Sequence, residues 1–201
     1  MDGHEMHDPR KPRRLKPHAL SLLVIDANAF TRGLITDILR NFDATDIHAA
    51  KDAASAEATV REKPIDVIIM SWEKEDGLDG MRFVRNLRRV KDDRIRRLPV
   101  LFVTSGLTKQ LVIDARDAGV DEFLSKPIAP AAVRQRLEMV IETPRPFVDC
   151  AVYIGPCRRR KNPADYHGAK RRAGDRSRDD ESTPTVDHDE EAQKSPIRVA
   201  L

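Results

Sequence analysis

Five short apolar runs, each followed by a segment of helical periodicity, constrain this chain's fold more than any other feature. "ALSLLVI" (19–25), "IDVIIM" (65–70) and "LPVLFVTS" (98–105) have the near-continuous apolar character of strands buried on both faces. "TDIHAA" (45–50) and "DEFLS" (121–125) are weaker strands. Between them, "NAFTRGLITDILRNF" sets Phe30, Leu34, Ile38 and Phe42 at helical spacing, with Asn28 as its cap. "DAASAEATVREK" is an Ala-rich helix capped by Asp52. "DGMRFVRNLRRV" turns Phe83, Leu87 and Val90 inward and runs on into "KDDRIRRLP". "TKQLVIDARDAG" stops at Gly119, and "APAAVRQRLEMVI" tolerates Pro130 in its first turn. Strands linked through helices pair in parallel with right-handed crossovers, so the expected fold is a doubly wound α/β sandwich on a five-stranded parallel sheet. Such sheets bind or react at the carboxyl ends of their strands, near the point where strand order reverses.

The flanks lack this regularity. Residues 1–18 read as a flexible basic arm, 19–142 as the domain, and 143–201 as a mostly disordered charged tail with an Arg-rich motif at 147–172. Residues 158–178 carry nine Lys/Arg against two Asp, and residues 179–191 carry seven acids and no Lys or Arg; opposed blocks of this kind bury too little apolar surface to offset chain entropy. The net charge of +3 is too small to imply nucleic-acid binding, which the acidic block also opposes. No apolar run reaches the length of a membrane span, and the opening residues do not read as a secretory signal. With only Cys150 and Cys157, reduced thiols and a cytoplasmic location are expected. Those cysteines and His167 are poorly spaced for zinc, and His4 and His7 are weaker ligands still.

Each strand delivers a polar residue. Asp26 follows the first, Ser71 the third, Thr104 and Ser105 the fourth, and Lys126 with Pro127 the fifth. Asp66 stands at the start of the third strand, too far back to join them. With "LLVIDANAFTRGLITDIL", "IDVIIMSW", Asp79–Gly80, "LPVLFVTS" and "DAGVDEFLSKPI" in this order, residues 19–142 resemble the receiver domain of bacterial response regulators, the chemotaxis-regulator type included. The resemblance implies a flavodoxin-like (βα)5 fold of strand order 2-1-3-4-5 and a role in two-component phosphorelay signalling. Receivers take a phosphoryl group from a histidine kinase onto an aspartate after the third strand, beside a magnesium-binding acid pair. Asp26 matches the first acid of that pair, Thr104 the switch hydroxyl, Phe123 the switch aromatic, Lys126 the site lysine, and Pro127 a proline usually preceded by a cis bond.

Two positions depart from the pattern: Ala27 replaces the second acid and Ser71 the acceptor aspartate. An acyl phosphate needs a carboxylate nucleophile, and a serine with no adjacent base is not activated. Magnesium favours oxygen-rich, carboxylate-containing ligand sets, and Asp26 is the one such side chain left of the pattern. The expectation is therefore a pseudo-receiver: no cofactor, weak or absent magnesium binding, no enzymatic activity, and Ser71 as a neutral filler. A stand-alone adaptor acting by protein contact is the leading reading. The others are a phosphoaccepting regulator with an atypical site, Ser71 as a protein-kinase target, or a cyclic-dinucleotide or anion sensor using Arg158, Arg159 and Arg160.

Several side readings accompany this one. Lys126 is expected to pair with Asp26 and hold the site closed. Glu73, Glu75 or Asp76 could swing in to restore a cation site, although solvated loop acids are the simpler expectation. Thr104 and Phe123 are expected to hold a fixed conformation, and Trp72 to pack half-exposed. Arg82, Arg85, Arg88, Arg89, Lys91, Arg94, Arg96 and Arg97 are expected on a solvated face, with an anionic-ligand surface as the alternative. Partner contact is expected on the face of the fourth helix, fifth strand and fifth helix, with Lys109, Gln110, Ile113 and Arg134, or through the tail. Phe147, Val148, Val152, Tyr153 and Ile154 suffice to dock a short segment.

Overall fold

The computed structural model describes residues 8–72 and 79–159. His4, His7, Glu73, Glu75, Asp76, Arg160, His167 and the rest of 160–201 lie outside the described residues. Strands β1 (Ser21–Ile25), β2 (Asp46–Ala50), β3 (Val67–Ser71), β4 (Val100–Thr104) and β5 (Glu122–Ser125) form a parallel sheet in the order β2-β1-β3-β4-β5. This is the expected topology. Strand order reverses between β1 and β3.

Helices α1 (Ala29–Arg40) and α6 (Pro130–Glu142) cover one face of the sheet. Helices α2 (Ala53–Glu62), α3 (Gly80–Arg89) and α5 (Lys109–Ala118) cover the other, with a single-turn helix, α4 (Asp93–Arg96), leading into β4. Successive strand residues serve opposite cores, because side chains alternate across a strand. Leu23, Ile25, Ile68, Met70, Val100 and Phe102 join one cluster; Leu22, Val24, Val67, Ile69, Leu101 and Val103 join the other. Burying each such side chain contributes roughly 1.5–3 kcal/mol. That fixes the register, and with it which residues emerge at the strand ends.

The caps form as read. Asn28 accepts the Phe30 and Thr31 N–H groups, Asp52 forms a capping box with Ser55, and Pro130 opens α6. Gly119 ends α5 at φ 102°, a left-handed conformation that favours glycine.

Two helix readings need correction. In α1 the buried residues are Ile35, Ile38 and Leu39, whereas Phe30 and Leu34 are exposed (81% and 42%). Each four-residue step drifts about 40° round the helix, so Phe30 and Leu34 fall outside the core face while Ile38 is buried and Phe42 packs against the core. The helix after Asp79 also does not run on: it stops at Arg89, Val90 turns extended, and α4 starts anew with Asp92 as cap.

Residues 8–18 are not a free arm, and the chain after 142 does not lose structure at once. Leu15 N–H reaches Glu142, Arg13 pairs with Asp66, and Arg10 is buried against Asp121. Strands β6 (Phe147–Cys150) and β7 (Tyr153–Pro156) form an antiparallel hairpin against α3, with Tyr153 buried and its hydroxyl donating to the carbonyls of Pro156 and Arg116. Phe147 sits within 5.0 Å of the Arg10 guanidinium, 5.2 Å of Arg97 and 5.9 Å of Arg88. Such contacts strengthen where water is excluded.

Arg88 is the largest departure from expectation. It is 1% exposed rather than on a solvated face. It donates to the carbonyls of Arg96, Leu98 and Gly119 and to Asp121. Arg94 likewise caps the carbonyls of Val60 and Lys63, and Arg96 pairs with Asp93 and Asp149. Burial pulls Arg88 down to about 10, with Asp121 opposing the shift, so it stays cationic at neutral pH. Burial likewise pushes Tyr153 up to about 12.

Candidate functional site at the strand carboxyl ends

Parallel register carries four polar side chains to one edge. Ile25 pairs with Met70, Ser71 with Val103, and Thr104 with Ser125. Asp26, Ser71, Thr104 and Lys126 therefore emerge from neighbouring strands β1, β3, β4 and β5, about 4.8 Å apart per strand. The sheet brings together the residues that the sequence singled out, and it leaves Asp66 at the opposite end, where its carboxylate accepts the Ser21 N–H.

Asp26 is 1% exposed. Its Oδ1 accepts the Asn28 N–H at 2.7 Å, its carbonyl accepts Arg32 Nη1 at 2.6 Å, and its Oδ2 is buried without a hydrogen-bond partner. Ser71 is 2% exposed, and its Oγ is also buried without a partner. Thr104 is buried, and its Oγ1 accepts the Gly106 N–H at 3.3 Å. Ala27 is exposed and has no polar side-chain atom. The Lys126–Pro127 bond is cis.

The expected Asp26–Lys126 ion pair does not form. Oδ1 is taken by the backbone turn that starts α1, and Oδ2 meets no donor. The Asn28 N–H occupies Oδ1 alone, and Oδ2 stays free of a donor because Lys126 makes another contact. Nor do Ser71 and Asp26 hydrogen-bond to each other, since both orphan oxygens are unpartnered.

An aromatic row runs from the site toward β5. Trp72, half-buried as expected, packs on Phe102 with ring centres 5.8 Å apart, and Phe102 meets Phe123 edge-on at 6.5 Å. Phe123 is 7% exposed and part of the core. Gly80, at the start of α3, passes so close that a Cβ there would lie 2.9 Å from Trp72 and 3.2 Å from Phe102.

Away from this edge, Arg158 lies 4.3 Å over the Tyr153 ring and pairs with Asp117, so this member of the expected anion-binding trio is already engaged; Arg159 also has a partner. Cys150 and Cys157 are free thiols at opposite ends of the hairpin. Among the described residues no group of three or more His, Cys, Asp or Glu side chains could hold a metal, and no helix is long and apolar enough to cross a membrane. The sequence reading missed the Arg10–Asp121–Arg88 cluster. One signal was available: Met81, Val84 and Arg88 follow the i, i+3, i+7 spacing of the buried stripe of α3.

A doubly wound sheet whose carboxyl edge carries an acid, two hydroxyls and a lysine, the lysine joined to proline by a cis bond, is the arrangement the resemblance to the receiver class of signalling domain implies. The sequence model of the response regulator receiver domain matches residues 22–138, and the chain belongs to that family. It is 24% identical over 123 residues to chemotaxis protein CheY-3 of Vibrio cholerae, covering 61% of this chain and 92% of that one. It is 27% identical over 123 residues to CheY of Pseudomonas aeruginosa (61% and 97% covered) and 28% identical over 125 residues to CheY1 of Helicobacter pylori (62% and 98%). The fold superposes on Vibrio cholerae CheY4 with a TM-score of 0.54 at 21% identity, over 60% of this chain and 98% of that one. It also superposes on the receiver domain of the Pseudomonas aeruginosa sensor histidine kinase PA1611, solved with a magnesium ion in its active site cleft, with a TM-score of 0.52 at 22% identity, over 61% and 97%.

Proposed function

We propose that this receiver domain works in two-component signalling as a cytoplasmic adaptor that acts by protein contact and does not take a phosphoryl group. The observation that carries the reading is the β3 exit: Ser71 Oγ is buried and makes no hydrogen bond to Asp26, the described carboxylate at the same edge of the sheet. A serine nucleophile needs a base within hydrogen-bond reach, and Asp26 does not provide that contact. Magnesium, which the family implies, fits this donor set poorly. Asp26 Oδ2 is a suitable lone oxygen, but Ala27 supplies no ligand and Ser71 supplies a neutral one. On this reading the domain is not an enzyme and binds no resident cofactor.

The contact surface in this proposal is the face of α5, β5 and α6. Lys109, Gln110, Ile113 and Arg134 are exposed there, and Leu107 and Ile113 are each 43% exposed. Thr104 and Phe123 are both buried, which supports a fixed surface.

The test is exposure of the whole chain to acetyl phosphate and magnesium, read by intact mass and by Trp72 fluorescence. The expected result is no mass gain and no spectral change. Replacing Ala27 and Ser71 together by aspartate should create a labile phosphoryl adduct. An alkali-labile adduct on the unaltered chain would refute the proposal.

A further inference from the structure

Helix α3 carries Arg82, Arg85, Arg88 and Arg89 and no acidic residue between Gly80 and Arg89. Arg88 points inward and is compensated by Asp121 and three carbonyls. Arg85 and Arg89 are exposed, four residues apart on one side of the helix, and among the described residues neither has a hydrogen-bond or ion-pair partner. Like charges at this spacing oppose the helix that carries them. The nearby acids do not relieve them: Asp117 engages Arg158, Asp149 engages Arg96, and Asp121 engages Arg10 and Arg88.

These two guanidinium groups border a groove of about 180 Å³ between α3 and the hairpin. Its far wall is Val152, Tyr153 and Ile154, and its floor is the carboxyl end of α5, with Asp117 and Ala118. Its lining brings two guanidinium groups suited to bidentate phosphate contact into the same groove as Asp117, whose charge Arg158 offsets and whose carboxylate oxygens can still accept from hydroxyl donors. Its volume lies below the roughly 300–1,000 Å³ of pockets that enclose drug-sized ligands, which excludes a cyclic dinucleotide lying wholly inside.

We propose that this groove binds the phosphate monoester of a small hydroxylated molecule, with the phosphate on Arg85 and Arg89 and hydroxyls toward Asp117. The site lies on the α3–hairpin side and involves no phosphoryl transfer, so it stands independently of the state of Ser71. Titration of the whole chain with ribose 5-phosphate, followed calorimetrically, tests it. The Arg85→Ala/Arg89→Ala variant should weaken binding by at least about tenfold, whereas Arg40→Ala, an equal loss of charge on exposed α1, should change it by less than about twofold. Arg85→Lys/Arg89→Lys should lie between, because charge is kept and the paired N–H geometry is lost. Equal weakening by Arg40→Ala, or no heat from the unaltered chain at millimolar ligand, would overturn the proposal. Inorganic phosphate binding as tightly as ribose 5-phosphate would overturn the assignment to a hydroxylated ligand.

Discussion

Replacing Asp121 by alanine should cost this domain about 3–5 kcal/mol, the range for removing one partner of a buried ion pair. The side chain is 4% exposed. It accepts Arg10 Nη1 at 2.7 Å, Arg10 Nη2 at 3.1 Å, Arg88 Nη2 at 3.1 Å and the Val100 N–H at 2.9 Å. Summing roughly 1.5–3 kcal/mol for each charged bond and about 1 for the amide would exceed that range, but bonds sharing one carboxylate are not independent. Arg10 can also swing to water when its partner goes, because the arm enters from the chain end. Arg88 cannot: it stays buried among carbonyls with its charge uncompensated. Arg10→Ala should accordingly cost less, about 1–2 kcal/mol, since Asp121 keeps Arg88. Urea unfolding read by Trp72, the only tryptophan, measures each variant and the double variant. A cost for Asp121→Ala below about 1 kcal/mol, or strict additivity of the two changes, would show that the cluster is solvated and that residues 8–18 are not docked through it.

Two further outcomes follow from the same end of the sheet. Gly119→Ala should destabilise by at least about 1–2 kcal/mol, because φ 102° is strained for an L residue and the new Cβ would sit 2.9 Å from Arg88 Cγ; an unchanged urea midpoint would contradict this. Tyr153 has its folded pKa raised to about 12 from 10, so the folded state holds the proton more tightly than the unfolded chain. Its contribution is complete below pH 10 and is lost as pH rises through 12; the stability gap between the native chain and Tyr153→Phe should therefore shrink over that interval, and a constant gap would refute the burial of this hydroxyl.

The apolar patterning in the sequence determined the sheet, its parallel sense and the set of residues at its carboxyl edge. It could do so because a strand buried on both faces leaves only its last residue free to be polar, so Asp26, Ser71, Thr104 and Lys126 were legible one strand at a time. Caps were equally legible, since Asn28, Asp52 and Gly119 act within a few residues of themselves. Only the tertiary structure decided which side of α1 faces inward, because Phe30, Leu34, Ile38 and Phe42 drift round the helix and do not all meet the core. It also decided that Lys126 is engaged elsewhere, so that Asp26 meets the Asn28 amide through one oxygen and leaves the other without a donor. The same holds for the arginines: composition assigns a long cation to solvent, yet Arg88 and Arg10 are buried because residues from 8 to 111 positions away supply the carbonyls and the carboxylate that replace water. Patterns read along a chain register what each residue does to its neighbours in sequence, whereas the compensation of a buried charge depends on which segments the fold brings together.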